Sequence, residues 1–189
     1  QYGSGSPEAG RAFLEKVIQV PLQLPPARVQ ELRSLCFQQV DQALSASGYE
    51  LTSKQAGDFA FAFQNGVDVR LATPRLAKKY GNAVTFALPL LRGEVNPVDV
   101  LLVQALRVFY PQIFEVVRGQ LGAFSGVEER TFGSSRKEPV AKTLLDPVLA
   151  GTRADVRGPI ASLLINLFPR MRGEFGNSFY GSDWLGRGD

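Results

Sequence analysis

The sequence predicts a mainly α fold, an irregular multi-helix bundle with a short N-terminal extended segment. Apolar residues recur at three- and four-residue steps through most of the chain. Start and stop signals flank these stretches: Thr73-Pro74 and Asn96-Pro97 open helices, and Gly48 and Gly93 close them. The strand-like alternation of Ile18, Val20, Leu22 and Leu24 occupies one short segment, and Pro21 confines it to a sheet edge or an irregular extended run.

Residues 1–10 are rich in Gly and Ser and read as a loop. Phe13, Leu14, Val17 and Ile18 fit one face of a short helix over residues 12–18, which runs into the extended segment at 17–24. A long helix is predicted over 27–47, with Val29, Leu32, Cys36, Val40 and Ala43 on its apolar face and Gly48 as its stop. Residues 51–71 fit two structures. Phe59, Phe61 and Phe63, then Asn65-Gly66, then Val67, Val69 and Leu71 suit a hairpin. Ala56, Phe59, Ala60 and Phe63 suit a helix capped by Thr52 or Ser53 and stopped by Gly66, and the interleaved alanines favour the helix.

The next helix starts at Thr73-Pro74, carries the stripe Leu76, Tyr80, Ala83, Val84, Ala87, Leu88 and Leu91, kinks at Pro89 and ends at Gly93. Asn96 caps a further helix with Pro97 in its first turn and Leu101, Leu102, Ala105, Leu106 and Phe109 buried. Pro111 breaks it, and 112–120 continues as a shorter helix. Residues 119–138 read as a polar loop, followed by helices at 139–150 and 154–168. After Pro169 the chain is loop-like, with Phe175, Phe179, Tyr180 and Trp184 as possible anchors.

The 189 residues hold no His, one Cys and one Met, and 44% of them are hydrophobic. The absence of His excludes Ser-His-Asp and Cys-His nucleophiles. One Cys excludes internal disulfides and Cys-rich zinc sites, and Cys36 reads as a small buried hydrophobe. A chain that starts at Gln1 without Met reads as a processed product or a piece of a longer protein. The net charge of +3 is too mild to imply nucleic acid. No apolar run is long enough to span a bilayer.

No phosphate-binding loop and no GxGxxG is present, Glu128-Glu129 reads as solvated surface, and no acidic cluster has metal-ligand spacing. These residues give no self-sufficient catalytic set and no metal site. The polar constellation with possible chemistry is Arg75, Lys78, Lys79 and Asn82, at the start of the helix opened by Thr73-Pro74. It lies within residues 70–93, which hold five basic residues and no acidic one. Such cations can hold phosphate by bidentate guanidinium bonds or ammonium charge. As a bare pattern they equally form a solvated helix face.

Three segments in order resemble the KAP family of P-loop NTPases. They are residues 13–25 (FLEKVIQVPLQLP), residues 73–83 (TPRLAKKYGNA), and the pair 93–99 (GEVNPVD) and 105–111 (ALRVFYP). In the second, Lys79 stands where the family usually has Arg, and Gly81 where it has an apolar residue. The resemblance covers about residues 12–115. It implies that the Walker A and B motifs lie upstream, outside this sequence. Residues 1–26 would then be the end of the nucleotide-binding core, 27–120 a helical region like the lid of AAA-type ATPases, and 121–189 a loop with further helices, partly disordered.

In such lids an Arg at a helix start faces the nucleotide phosphates, and Arg75 matches that position. The resemblance thus implies a lid and sensor region, inactive alone, with ATP and Mg bound by the parent protein and neither expected on this piece. The implied partners are the upstream Walker core, with a homo-oligomer or a protein partner also open and a cytoplasmic location, membrane-associated only through the parent. Two other functions compete. One is a helical protein–protein interaction module without a nucleotide role. The other is nucleic-acid binding through residues 70–92, which the few aromatics near Arg75 disfavour.

Overall fold

The computed structural model describes residues 26–125 and 140–172. Helix α1 spans Val29–Ser47 and buries Leu32, Cys36, Val40 and Ala43, while Val29 is exposed. Gly48 ends it in the left-handed region at φ 67°, with its N–H donating to Ser45 and the N–H of Tyr49 donating to Leu44. That closes the orphan carbonyls of the last turn.

Helix α2 spans Ser53–Val67, so the hairpin alternative for residues 51–71 is overturned. A reciprocal cap decides it. Thr52 Oγ1 accepts from the Gln55 N–H at 3.3 Å, and Gln55 Oε1 accepts from the Thr52 N–H at 3.0 Å. Gly66 is not the stop expected from its identity. It lies buried within the last turn against the Leu163 side chain, and the chain runs on into a 3-10 turn at Asp68–Arg70.

Helix α3 spans Pro74–Leu90, with Thr73 Oγ1 accepting from the Leu76 N–H and Pro89 in its last turn. It ends before Gly93, which turns the chain afterwards at φ 84°. Helix α4, Pro97–Phe109, is capped by Asn96 Oδ1 accepting from the Val98 N–H at 3.0 Å. Helix α5 spans Pro111–Gly119. The loop expected over 119–138 begins instead with a short helix α6, Leu121–Ser125, because Phe124 is drawn into the core and packs at a tilt against Phe168 with ring centroids 5.8 Å apart. Helices α7, Val140–Ala150, and α8, Ala154–Leu167, follow, and a 3-10 turn, Pro169–Met171, closes the described chain.

Among the described residues there are eight α-helices and no strand. The helix at 12–18, the extended segment at 17–24, Glu128-Glu129 and the aromatic residues 175–184 lie outside the described residues.

Helices α1 and α3 run parallel, side by side. Near their starts Arg33 pairs with Asp68; midway Gln39 packs on Gly81; at their ends Tyr49 Oη donates to the Leu91 carbonyl at 3.0 Å and accepts from the Gly93 N–H. Helix α4 is the hub, packed by α2, α3, α5 and α8. Phe63 sits at the centre, its ring 5.3 Å from Phe37, 5.4 Å from Tyr80 and 6.2 Å from Phe109. Such tilted and edge-on aromatic contacts add to the area they bury. Phe37 of α1 and Tyr80 of α3 thus meet on Phe63, and this aromatic cluster helps to position α3.

Candidate functional site: a cationic cleft at the start of α3

Arg75, Lys78, Lys79 and Asn82 are all exposed on the first three turns of α3, while Ala77 and Tyr80 between them are buried. The helix period thus splits this motif into a core face and a polar face. The four polar residues line one open cleft of about 1120 Å³. Two further cations complete its wall: Arg70, from the 3-10 turn after α2, and Arg153, from the residue that precedes α8.

The cleft is lined by five cationic side chains and no carboxylate. Arg153 is clamped by Asp155, with Nε 3.1 Å and Nη2 2.6 Å from its carboxylate oxygens. Arg70 Nε donates to the Phe109 carbonyl at 3.4 Å, and its guanidinium lies 6.0 Å from the centre of the Tyr110 ring. Arg75, Lys78, Lys79 and Asn82 have no hydrogen-bond or ion-pair partner among the described residues. Their charge adds to the positive end of the α3 dipole. The three like charges of Arg75, Lys78 and Lys79, gathered without counter-ions, are an arrangement suited to holding an anion.

The cleft is anchored from below. Arg33, one turn into α1, makes a bidentate pair with Asp68, the residue that opens the 3-10 turn carrying Arg70. This pair ties the start of α1 to the cleft end of the bundle. The described chain therefore begins at the same end as the cations.

Of the five cations and one amide on the cleft wall, the sequence marks four as candidate site residues. Arg70 belongs to the basic stretch but precedes the helix motif. Arg153 carries no local signal, because only the packing of α8 on α2 brings it in. Elsewhere Cys36 is fully buried, and burial, then the nearby Asp68 carboxylate, pushes its thiol up to about 12. It is a packing residue. No helix among the described residues is long and apolar enough to cross a membrane.

The family model described as the KAP family P-loop domain matches residues 1–91, a little under half of the chain. The match takes in α1, α2, α3 and every cleft residue except Arg153. No curated protein and no solved structure matches the chain.

Proposed function

We propose that this chain is the helical lid and sensor region of a KAP-like P-loop NTPase. It closes over ATP held by an upstream Walker core, couples hydrolysis to a conformational change, and is inactive alone. The observation that carries this reading is the cluster of uncompensated cations at the start of α3, at the bundle end where the described chain begins. The family match over residues 1–91 supports the same parent.

The donor set fits phosphate. Arg75 offers a planar fork to two phosphate oxygens, Lys78 and Lys79 offer point charges, and Asn82 offers an amide. Bound ATP would supply the phosphoryl group, and Arg75 would stabilise the charge that develops on it. The cleft wall has no carboxylate to hold Mg, so the metal belongs with the upstream core. Tyr80, the aromatic within the motif, is fully buried, which leaves no stacking platform there for nucleic-acid bases.

The test is Arg75→Ala in the longer parent protein. ATP turnover should fall by about 10²–10³-fold, the usual loss for one preorganised charge-stabilising donor, with modest loss of nucleotide binding. Unchanged turnover overturns the lid reading. It would favour the second reading, a protein–protein interaction module. That reading draws on Phe86 and Leu90, one turn apart on α3 and 74% and 66% exposed.

A further inference from the structure

Two cavities meet at Arg70 and Arg153. One is the cationic cleft of α3. The other is a pocket of about 330 Å³ between the α4–α5 turn and the α7–α8 turn, and both arginines line it as well. Its wall mixes the apolar side chains of Ile113, Val148, Val156 and Ile160 with Tyr110 and the polar Gln112 and Thr152.

Of the polar side chains around this pocket, Tyr110 and Thr152 are engaged, while Gln112 has no hydrogen-bond partner among the described residues. The Tyr110 hydroxyl donates to the Gly66 carbonyl. Thr152 Oγ1 donates to the Val148 carbonyl at 2.8 Å, and the Thr152 carbonyl accepts from Arg157 Nε at 3.2 Å. The pocket therefore offers a ligand apolar surface together with the free Gln112 amide, and two guanidinium groups at one rim, of which Arg153 is already paired with Asp155. Its volume sits at the small end of ligand pockets, enough for one ring system or a short chain.

We propose that the two cavities form one composite site for an organic phosphate. The phosphate lies between Arg70 and Arg153, displacing the Asp155 carboxylate from Arg153, with further charge running toward Lys78 and Lys79, and the apolar body fills the 330 Å³ pocket. The site is built from this chain's own residues and needs no upstream core, although it shares Lys78 and Lys79 with the cleft of the lid reading. The shared chemistry is a phosphate ester with a flat or apolar body. Such a body comes from either a nucleotide or an alkyl phosphate of the lipid kind.

The experiment is calorimetric titration of the 189-residue chain with two matched pairs of probes: ATP against inorganic triphosphate, and hexyl phosphate against inorganic phosphate. Within at least one pair the organic member should bind about tenfold tighter, since covering even a small apolar surface has an effect of that size. The pair that shows the gain identifies the source. Arg153→Ala should weaken the tighter probe about tenfold. Gly151→Leu should erase the organic advantage while leaving inorganic binding in place. Gly151 is exposed at the pocket wall, and a Cβ there meets only the Val148 carbonyl at an ordinary 3.8 Å, so the fold tolerates the change. Equal binding within both pairs overturns the proposal, as does binding that Arg153→Ala leaves unchanged, or no binding at all. Turnover of the parent with Arg75→Ala is a separate readout, so the lid reading and this one fail independently.

Discussion

Cys36 lies on the inner face of α1 beside the Arg33–Asp68 pair, and its thiol ionises only near pH 12 because burial and then the Asp68 carboxylate oppose the thiolate. In the unfolded chain the same thiol ionises near 9. Above pH 9 the unfolded state therefore releases a proton that the folded state keeps, and stability is lost as pH rises from 9 toward 12. The steepest contribution is about 1.4 kcal/mol per pH unit. Tyr80 and Tyr110, both raised chiefly by burial, act in the same direction from pH 10 upward. Urea midpoints should be flat from pH 7 to 9 and then decline. Cys36→Ala should flatten the decline between pH 9 and 10, where the tyrosines contribute little. A variant that keeps the full slope in that window would show that Cys36 does not drive it. The sequence does reveal Cys36 as a buried small residue, because it falls on the α1 stripe. Its neighbour Asp68 comes from another element, so the ion pair beside it has no local signal.

Glycines show how elements constrain one another. Gly57 and Gly81 both lie inside helices, yet their surroundings differ. A Cβ at Gly57 meets nothing within 4 Å, so Gly57→Ala gains helix propensity and should stabilise by about 0.5–1 kcal/mol. At Gly81 a Cβ would lie 1.5 Å from Gln39 Oε1 and 2.8 Å from Gln39 Cβ, and the latter cannot swing away. Gly81→Ala should therefore destabilise by about 1–3 kcal/mol despite the better propensity, as overpacking does. Chemical denaturation of the two variants tests the opposite signs, and equal signs would refute the contact argument. This contact also explains why Gly81 stands where the resembling motif has an apolar residue: α1 passes directly over it. Helix starts are legible in the sequence because caps such as Thr52, Thr73 and Asn96 act within three residues of themselves. Gly66 is not, since stopping a helix and admitting a neighbour call for the same residue type.

The whole molecule decides where Arg153 stands, and one crossing governs it. Helix α8 packs on α2 with Leu163 seated on Gly66, and the chain reaches α8 through Arg153. The polar face of α3 can be read from three- and four-residue spacing, but the opposite wall of the cleft depends on how closely α8 approaches α2. No periodicity encodes that distance, which explains why the sequence exposes half of the cleft and hides the other. A Cβ at Gly66 would sit 2.3 Å from Leu163 Cγ and 2.6 Å from its Cδ2, and Leu163 is fully buried, so the strain has no exit to solvent. Gly66→Ala should cost about 1–3 kcal/mol by overpacking and push α8 away from α2. Gly66 lines neither cavity, but its carbonyl holds the hydroxyl of Tyr110 on the pocket wall, so a change in anion binding comes through the displacement of α8 or of Tyr110. The expected result is weaker binding of inorganic triphosphate together with a lower unfolding midpoint. Leu163→Ala on the same background removes the clashing carbons, and the two changes should be non-additive, since residues in contact couple. The double variant should then recover part of both stability and binding relative to Gly66→Ala. Recovery of stability without binding would separate the α2–α8 spacing from the cleft. Strictly additive losses would mean that the crossing does not set the spacing at all.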